Sequence, residues 1–517
     1  MKYFFIIFLS FSSLFLDNGP SKAAEKINLK FEEMTIPLTI EQLSKLESYK
    51  DDSTEVIEWI KKNGFLKVFE LSKFLKYPVF KEVGLNRQLL RSWVGREILS
   101  ELSNTIIVPN DNNGAEVFST IEDLLELRKE ISTLDIIKAL PSKEIYLDVD
   151  NLILIVSSWK KELAMQQDLI LKLNKLEKTN NQVLFTNKIQ LNKNYIKVKE
   201  KIYSPHRANP LEIELWKSNK KKSDKELIIF MPGLGGDINH FKWIGKELTQ
   251  RGWPIIFLNH LGTNSETFTE VIEGKEAIPG SKDFFLYRIK DLDAVLKAHR
   301  NGRFGLENDS YILMGHSLGA LVALLYESNE SIEGLENRCD LALKDLAITN
   351  LSKLLQCQLS EIELPKRDHS KKAKAIIGFN TFGSLFWPKE KSSGIEIPIL
   401  FIGGTYDLIT PLISEQFKVF LSANNSLNRF LVIEGASHFS PIRINNSSLR
   451  KNDIFKINET FIGSNPKSVQ DLSLGILIEF MNKITNKEDL KIITNQKEID
   501  LIFHILDGKT IREIYKN

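Results

Sequence analysis

Tyr311-Ile-Leu-Met-Gly-His-Ser-Leu-Gly-Ala-Leu-Val-Ala-Leu-Leu-Tyr326 changes character once, at Ser317. Tyr311 to Met314 is a short apolar run of the kind that forms a strand buried on both faces, and Leu318 to Tyr326 is a helix-forming run. Between them stands Gly315-His316-Ser317-Leu318-Gly319. A bare Gly-x-Ser-x-Gly arises by chance about 0.2 times in a chain of this size, so its setting decides. A strand entering and a helix leaving make a sharp elbow, where small flanking residues let a strained serine stand clear of the backbone. The helix N-terminus favours negative charge on Ser317 and on an oxygen beside it. The alternative is a structural turn with a buried serine.

A serine hydroxyl needs a base, and the base needs an orienting acid. Of the eight histidines, three follow Ser317: His369, His438 and His504. His438 comes just after the apolar run Arg429–Ile433, where sheets of buried parallel strands place catalytic groups. His369 lies in a charged run, and His504 reads as part of a C-terminal helix. Asp407 follows the run Ile397–Ile402 in the same way, so it is the candidate acid; the alternative is an Asp that caps a helix near Pro411. Glu434 is a weaker candidate, four residues from His438. For an oxyanion, the Leu318 amide is one expected donor. The Leu234 amide, in Pro232-Gly-Leu-Gly-Gly236 after the run Leu227–Met231, is the other. No Gly-Lys-Ser/Thr follows that glycine loop, which argues against a phosphate cradle.

Outward from this centre, apolar runs alternate with helical patterns such as Phe284–His299. Ala375–Gly378 and Pro254–Leu258 are further buried strands, and Tyr195–Tyr203 and Leu211–Trp216 alternate with period two. The pattern predicts a mostly parallel sheet covered by helices over residues 190–517, with an antiparallel edge at its start. Residues 328–373 exceed what a crossover requires and hold both cysteines, Cys339 and Cys357. They form either a cap over the site or a peripheral helix pair. The cysteines are either a disulfide closing a short loop or two buried thiols.

Residues 24–180 read as an all-α N-terminal domain. Thr39-Ile-Glu-Gln-Leu43 has the form of a helix cap. Val56, Trp59 and Ile60, then Leu89, Leu90, Trp93, Val94 and Ile98, recur at helical spacing, and Leu152–Leu173 is a long helix. Residues 176–193 read as a linker. Residues 1–23 read as an export signal: Met1-Lys2, an apolar stretch from Tyr3 to Leu16, and small residues Ser21 and Ala23 at a cleavage site. An uncleaved anchor is the alternative. Composition adds little, with 517 residues, 42% hydrophobic, 26% charged and a formal net charge of +2. So near-neutral a chain gives no reason to expect nucleic acid.

The assembled motifs resemble the α/β-hydrolases, and within them an exported, mainly cyanobacterial group with an N-terminal domain of unknown function. Ala23-Ala-Glu-Lys-Ile-Asn-Leu-Lys-Phe31 and Ile36-Pro-Leu-Thr-Ile40 are similar to that domain's start. Pro232–Gly236, Asn259-His-Leu-Gly-Thr-Asn-Ser265, Arg288-Ile-Lys-Asp-Leu-Asp293 and the two-cysteine insertion are similar to its hydrolase half. Relatives often carry Asp in the loop where this chain has Asn259-His260. Esterases, lipases and platelet-activating-factor acetylhydrolase-like enzymes are among the relatives. The resemblance therefore implies an α/β-hydrolase fold behind an N-terminal domain, and ester cleavage by Ser317, His438 and Asp407 without metal or organic cofactor. It implies a small-molecule or lipid ester as substrate, and a periplasmic, extracellular or thylakoid-lumen location. Peptidase or thioesterase action on the same triad stays open. So does a non-catalytic binding protein, whose N-terminal module would contact a membrane surface or a partner.

Overall fold

The computed structural model describes residues 24–31, 33–44, 78–80, 101, 103–111, 114–127, 131–179, 195–219, 224–260, 262, 281–328, 333–344, 350–360, 362, 372–388, 393–442, 464–498 and 500–516. The chain divides into two compact units between Val156 and Ser157. The expected export signal, most of the helices expected between residues 45 and 100, and His369 lie outside the described residues.

The first unit is not all-α. Strands β1 (Lys26–Phe31) and β2 (Met34–Thr39) pair antiparallel. After the short strands β3 (Pro78–Phe80), β4 (Ile106–Ile107) and β5 (Ile131–Ser132) comes β6 (Glu144–Asp148). It runs parallel to β1 and antiparallel to β4, giving a four-stranded sheet of order β2-β1-β6-β4. Alternation produces it: Ile27, Leu29, Ile145 and Leu147 point to one side and are buried with Val117, Ile121 and Ile137. Helical repeats nearby hid these short segments, and the sheet's central pairing, β1 with β6, joins residues more than a hundred positions apart. The Thr39 cap is as read, since Thr39 N–H donates to Gln42 Oε1 at 2.8 Å and Gln42 N–H to Thr39 Oγ1 at 3.1 Å.

The second unit is an α/β fold around a ten-stranded sheet. Its strands are β7 (Tyr195–Ile202), β8 (Leu211–Ser218), β9 (Leu227–Met231), β10 (Ile255–Asn259) and β11 (Tyr311–His316). They continue with β12 (Ile376–Phe379), β13 (Ile399–Gly404), β14 (Arg429–Ile433), β15 (Ile493–Glu498) and β16 (Leu501–Leu506). The spatial order is β15-β16-β14-β13-β12-β11-β9-β10-β8-β7. Strands β9 to β14 run parallel, and β7 and β8 form the expected antiparallel edge. Successive residues of β9 enter opposite layers. Leu227, Ile229 and Met231 pack with the helices Ser281–Arg300 and Leu318–Glu327, whereas Ile228 and Phe230 pack with Lys242–Gln250. Both faces are therefore covered, as fully apolar strands require.

Two details differ from expectation and one expected alternative is decided. The helix Val149–Asn174 passes into the second unit at Ser157, and Leu169 and Leu173 are buried in that unit's core, so its boundary lies upstream of residue 180. His504 is in strand β16, not a helix. The short apolar run Leu501–Leu506 fits either period, and antiparallel pairing with β14 and β15 decides it. Within the insertion, Cys339 and Cys357 form a disulfide joining the helices Leu335–Lys344 and Leu351–Cys357. Among the described residues no helix is long and apolar enough to cross a membrane.

Candidate active site

Parallel strands put the loops that follow them on one edge of a sheet, and that edge collects the candidate residues. Ser317 directly follows β11, at the mouth of the helix Leu318–Glu327, with φ 51° and ψ −118°. Side chains rarely adopt such a backbone, which costs about 1–3 kcal/mol and persists only where the surroundings enforce it. Here they do. Ser317 N–H donates to Phe379 O at 2.8 Å, fixing the elbow to the end of β12.

The two motif glycines are needed for space rather than for their torsions. A Cβ on Gly315 would lie 2.4 Å from Gly319 C, and one on Gly319 would lie 2.0 Å from Met231 O. The helix thus starts in contact with the end of β9, where the Pro232–Gly236 loop begins. Gly319→Ala is expected to force those backbones apart at a cost of about 3 kcal/mol or more. A urea unfolding midpoint close to the parent's would contradict this packing.

Asp407 and His438 lie beyond β13 and β14, which are neighbours. Gly404, at the end of β13, carries no Cβ because one would sit 2.0 Å from Ala436 O. The loop bearing His438 can therefore lie directly on the loop bearing Asp407. His438 Nδ1 is 3.1 Å from Asp407 Oδ2 and 3.2 Å from Oδ1. The carboxylate also accepts from Ile409 N–H at 3.0 Å and Thr410 N–H at 2.8 Å on Oδ1. On Oδ2 it accepts from Thr410 Oγ1 at 2.6 Å, Asn380 Nδ2 at 2.8 Å and Gln416 Nε2 at 3.2 Å. Burial pushes this carboxyl upward, but the charge and hydrogen bond of His438, with those from Thr410, outweigh it and hold it below its ordinary value.

His438 is tied to the serine's neighbour. His316 Nε2 donates to His438 O at 3.0 Å, and the two rings lie 4.9 Å apart. Burial, then the proximity of His438, pushes His316 down to about 3, so it stays neutral. Ser317 Oγ itself makes no hydrogen bond among the described residues; serine–histidine contacts often close only around substrate. His504 and Glu434 are apart from this group and pair with each other, Nε2 to Oε1, at 3.0 Å. The helix Leu351–Cys357 is docked on the acid's own segment, since Gln356 Nε2 donates to Glu415 Oε2 at 3.0 Å.

On the other side of Ser317 is the glycine loop. A Cβ on Gly233 would stand 3.3 Å from Ser317 Cβ, so this loop abuts the serine. The sequence assigns no role to His316, Thr410, Asn380 and Gln416. His316 was visible inside the motif and Thr410 lies three residues from Asp407, but the others reach the site only through the sheet.

The buried neutral histidines make stability depend on pH. His316 is joined by His260, which burial and then Arg288 push down to about 4. An unfolded chain protonates both near 6.5. Between about pH 6.5 and 4 the unfolded state therefore binds more protons, and stability falls as pH falls. The expected loss is on the order of 3 kcal/mol per histidine. Urea midpoints at pH 7.5, 6 and 4.5 measure it, and a flat series contradicts it.

Residues 23–148 match the family described as an alpha/beta hydrolase of unknown function (DUF1400). The match supports the α/β-hydrolase superfamily. It ends well before Ser317, so the candidate site stands on its own geometry. No curated protein matches the chain.

Proposed function

We propose that this chain is a serine hydrolase that cleaves carboxylic esters, of small molecules or lipids, through an acyl-enzyme. The observation that carries this is the buried Asp407–His438 pair set on the same sheet edge as Ser317, a serine held at φ 51°. Ser317 Oγ attacks the ester carbonyl while His438 Nε2 takes its proton. Asp407, facing Nδ1, holds the productive tautomer and stabilises the imidazolium. The Leu318 N–H, an unsatisfied first-turn donor, and the Leu234 N–H hold the oxyanion. His438 then gives its proton to the leaving alcohol, and water reverses the sequence to release the acid. The Cys339–Cys357 disulfide is compatible with the oxidising compartment that export would supply.

A fluorophosphonate probe and p-nitrophenyl esters of graded acyl length test the reading. The parent chain is expected to turn over at least one ester, and mass spectrometry of the labelled protein to find the adduct on Ser317. A chain that neither reacts nor hydrolyses any member of the series defeats it.

A further inference from the structure

We propose that Arg288 is a positioning residue for the oxyanion hole: by gripping the Pro232 and Gly233 carbonyls from inside the fold, it aims the Leu234 N–H at the reacting oxygen. The inference rests on the serine-hydrolase reading above. Arg288 lies on the helix Ser281–Arg300 and is 1% exposed. Its Nη1 donates to Pro232 O at 2.6 Å and its Nη2 to Gly233 O at 2.9 Å. A guanidinium is a rigid planar fork, so two bonds to successive carbonyls fix the orientation of both peptide groups.

Orientation is what an oxyanion donor needs. In a planar trans peptide the N–H points opposite to the C=O, and there are no cis peptide bonds among the described residues. Holding Gly233 O toward Arg288 therefore turns the Leu234 N–H away from the helix. The loop is already against the nucleophile, as Gly233 shows by its proximity to Ser317 Cβ. Within the loop the Gly236 N–H also donates to Gly233 O, at 3.2 Å; with glycine at three of its four positions that single turn bond leaves the peptides room to rotate, and the guanidinium fork removes it.

The guanidinium is held in turn. Asp291, three residues along the same helix and fully buried, is its counter-charge. Asp291 also accepts from Arg207 Nε at 2.6 Å and Nη2 at 2.7 Å, from His206 Nε2 at 2.8 Å and from His260 Nδ1 at 2.9 Å. The pair Arg288 and Asp291 thus links the glycine loop to the loop after β7 and to the end of β10.

The test compares the full-length parent with Arg288→Lys, which keeps the charge but not the fork, and with Arg288→Met. Two readouts are taken: kcat and KM on a p-nitrophenyl ester, and the 13C NMR titration of the hemiketal that Ser317 forms with an aliphatic trifluoromethyl ketone. Both variants are expected to lose about 10- to 100-fold in kcat with little change in KM. The hemiketal oxygen should hold its proton to a higher pH than in the parent, by about one unit or more, which a merely structural arginine would not cause. Parent-like kcat and titration in Arg288→Lys overturn the inference, as does a loss confined to KM. Failure of both variants to fold, judged by circular dichroism, also overturns it by assigning Arg288 to folding alone. A parent that neither hydrolyses esters nor forms the adduct defeats the hydrolase reading itself, which separates the two failures.

Discussion

Ser317→Ala is expected to abolish ester hydrolysis, with kcat falling on the order of 10⁶-fold, while the chain stays as stable as the parent. The size of the drop follows from losing the nucleophile of a unit whose members act together. The unchanged stability follows from the local structure. Ser317 Oγ makes no hydrogen bond among the described residues, so its removal leaves no buried partner stranded. Alanine also keeps the φ of 51°, because Phe379 O holds the backbone and the glycine contacts leave it nowhere to go. Ser317→Gly separates strain from chemistry: it should be equally inactive but more stable by about 1 kcal/mol, since glycine adopts that backbone without penalty. Urea midpoints and kcat on the three proteins check both halves. A Ser317→Ala chain that keeps a tenth of parental activity would place the nucleophile elsewhere.

Much of this fold is legible in the amino-acid sequence. The parallel strands announced themselves because a strand buried on both faces is apolar throughout, and β9, β11 and β14 are buried along their whole lengths. Ser317, Asp407 and His438 were legible because each ends such a run, and parallel strands share one edge for their exits. What escaped was whatever depends on contacts between distant segments. The β1–β6 pairing joins Ile27 to Ile145, and neither short run declares a partner. His504 sat in a run too short for its period to speak. Asn380, Gln416 and Arg288 are polar residues inside a fold, and their meaning lies in which oxygen each faces. Periodicity places a side chain on a face but not against an atom.

Asp407→Asn tests that last layer. The carboxylate oxygens of Asp407 meet only donors: two backbone N–H groups, Thr410 Oγ1, Asn380 Nδ2, Gln416 Nε2 and His438 Nδ1. An asparagine must turn its NH₂ toward one side of this set, so donor meets donor whichever way it lies. If the amide faces His438, the imidazole is driven to the opposite tautomer and its Nε2 carries a proton when it should accept one. A kcat loss of about 10⁴-fold is then expected, the scale seen when the acid of a comparable triad becomes an amide. If the amide faces the Thr410 side instead, a buried backbone donor loses its acceptor at about 1–3 kcal/mol. Both costs should show, as a collapse in kcat and a lower urea midpoint. The stability cost should also shrink as pH falls below about 4, because the parent's advantage from a carboxyl held below its ordinary value is present above about pH 4 and fades as pH falls through the lowered value. A variant that loses activity at parental stability would mean that the surrounding donors rearrange freely. A stable and fully active one would remove Asp407 from the site and leave His438 oriented by His316 and Thr410 alone.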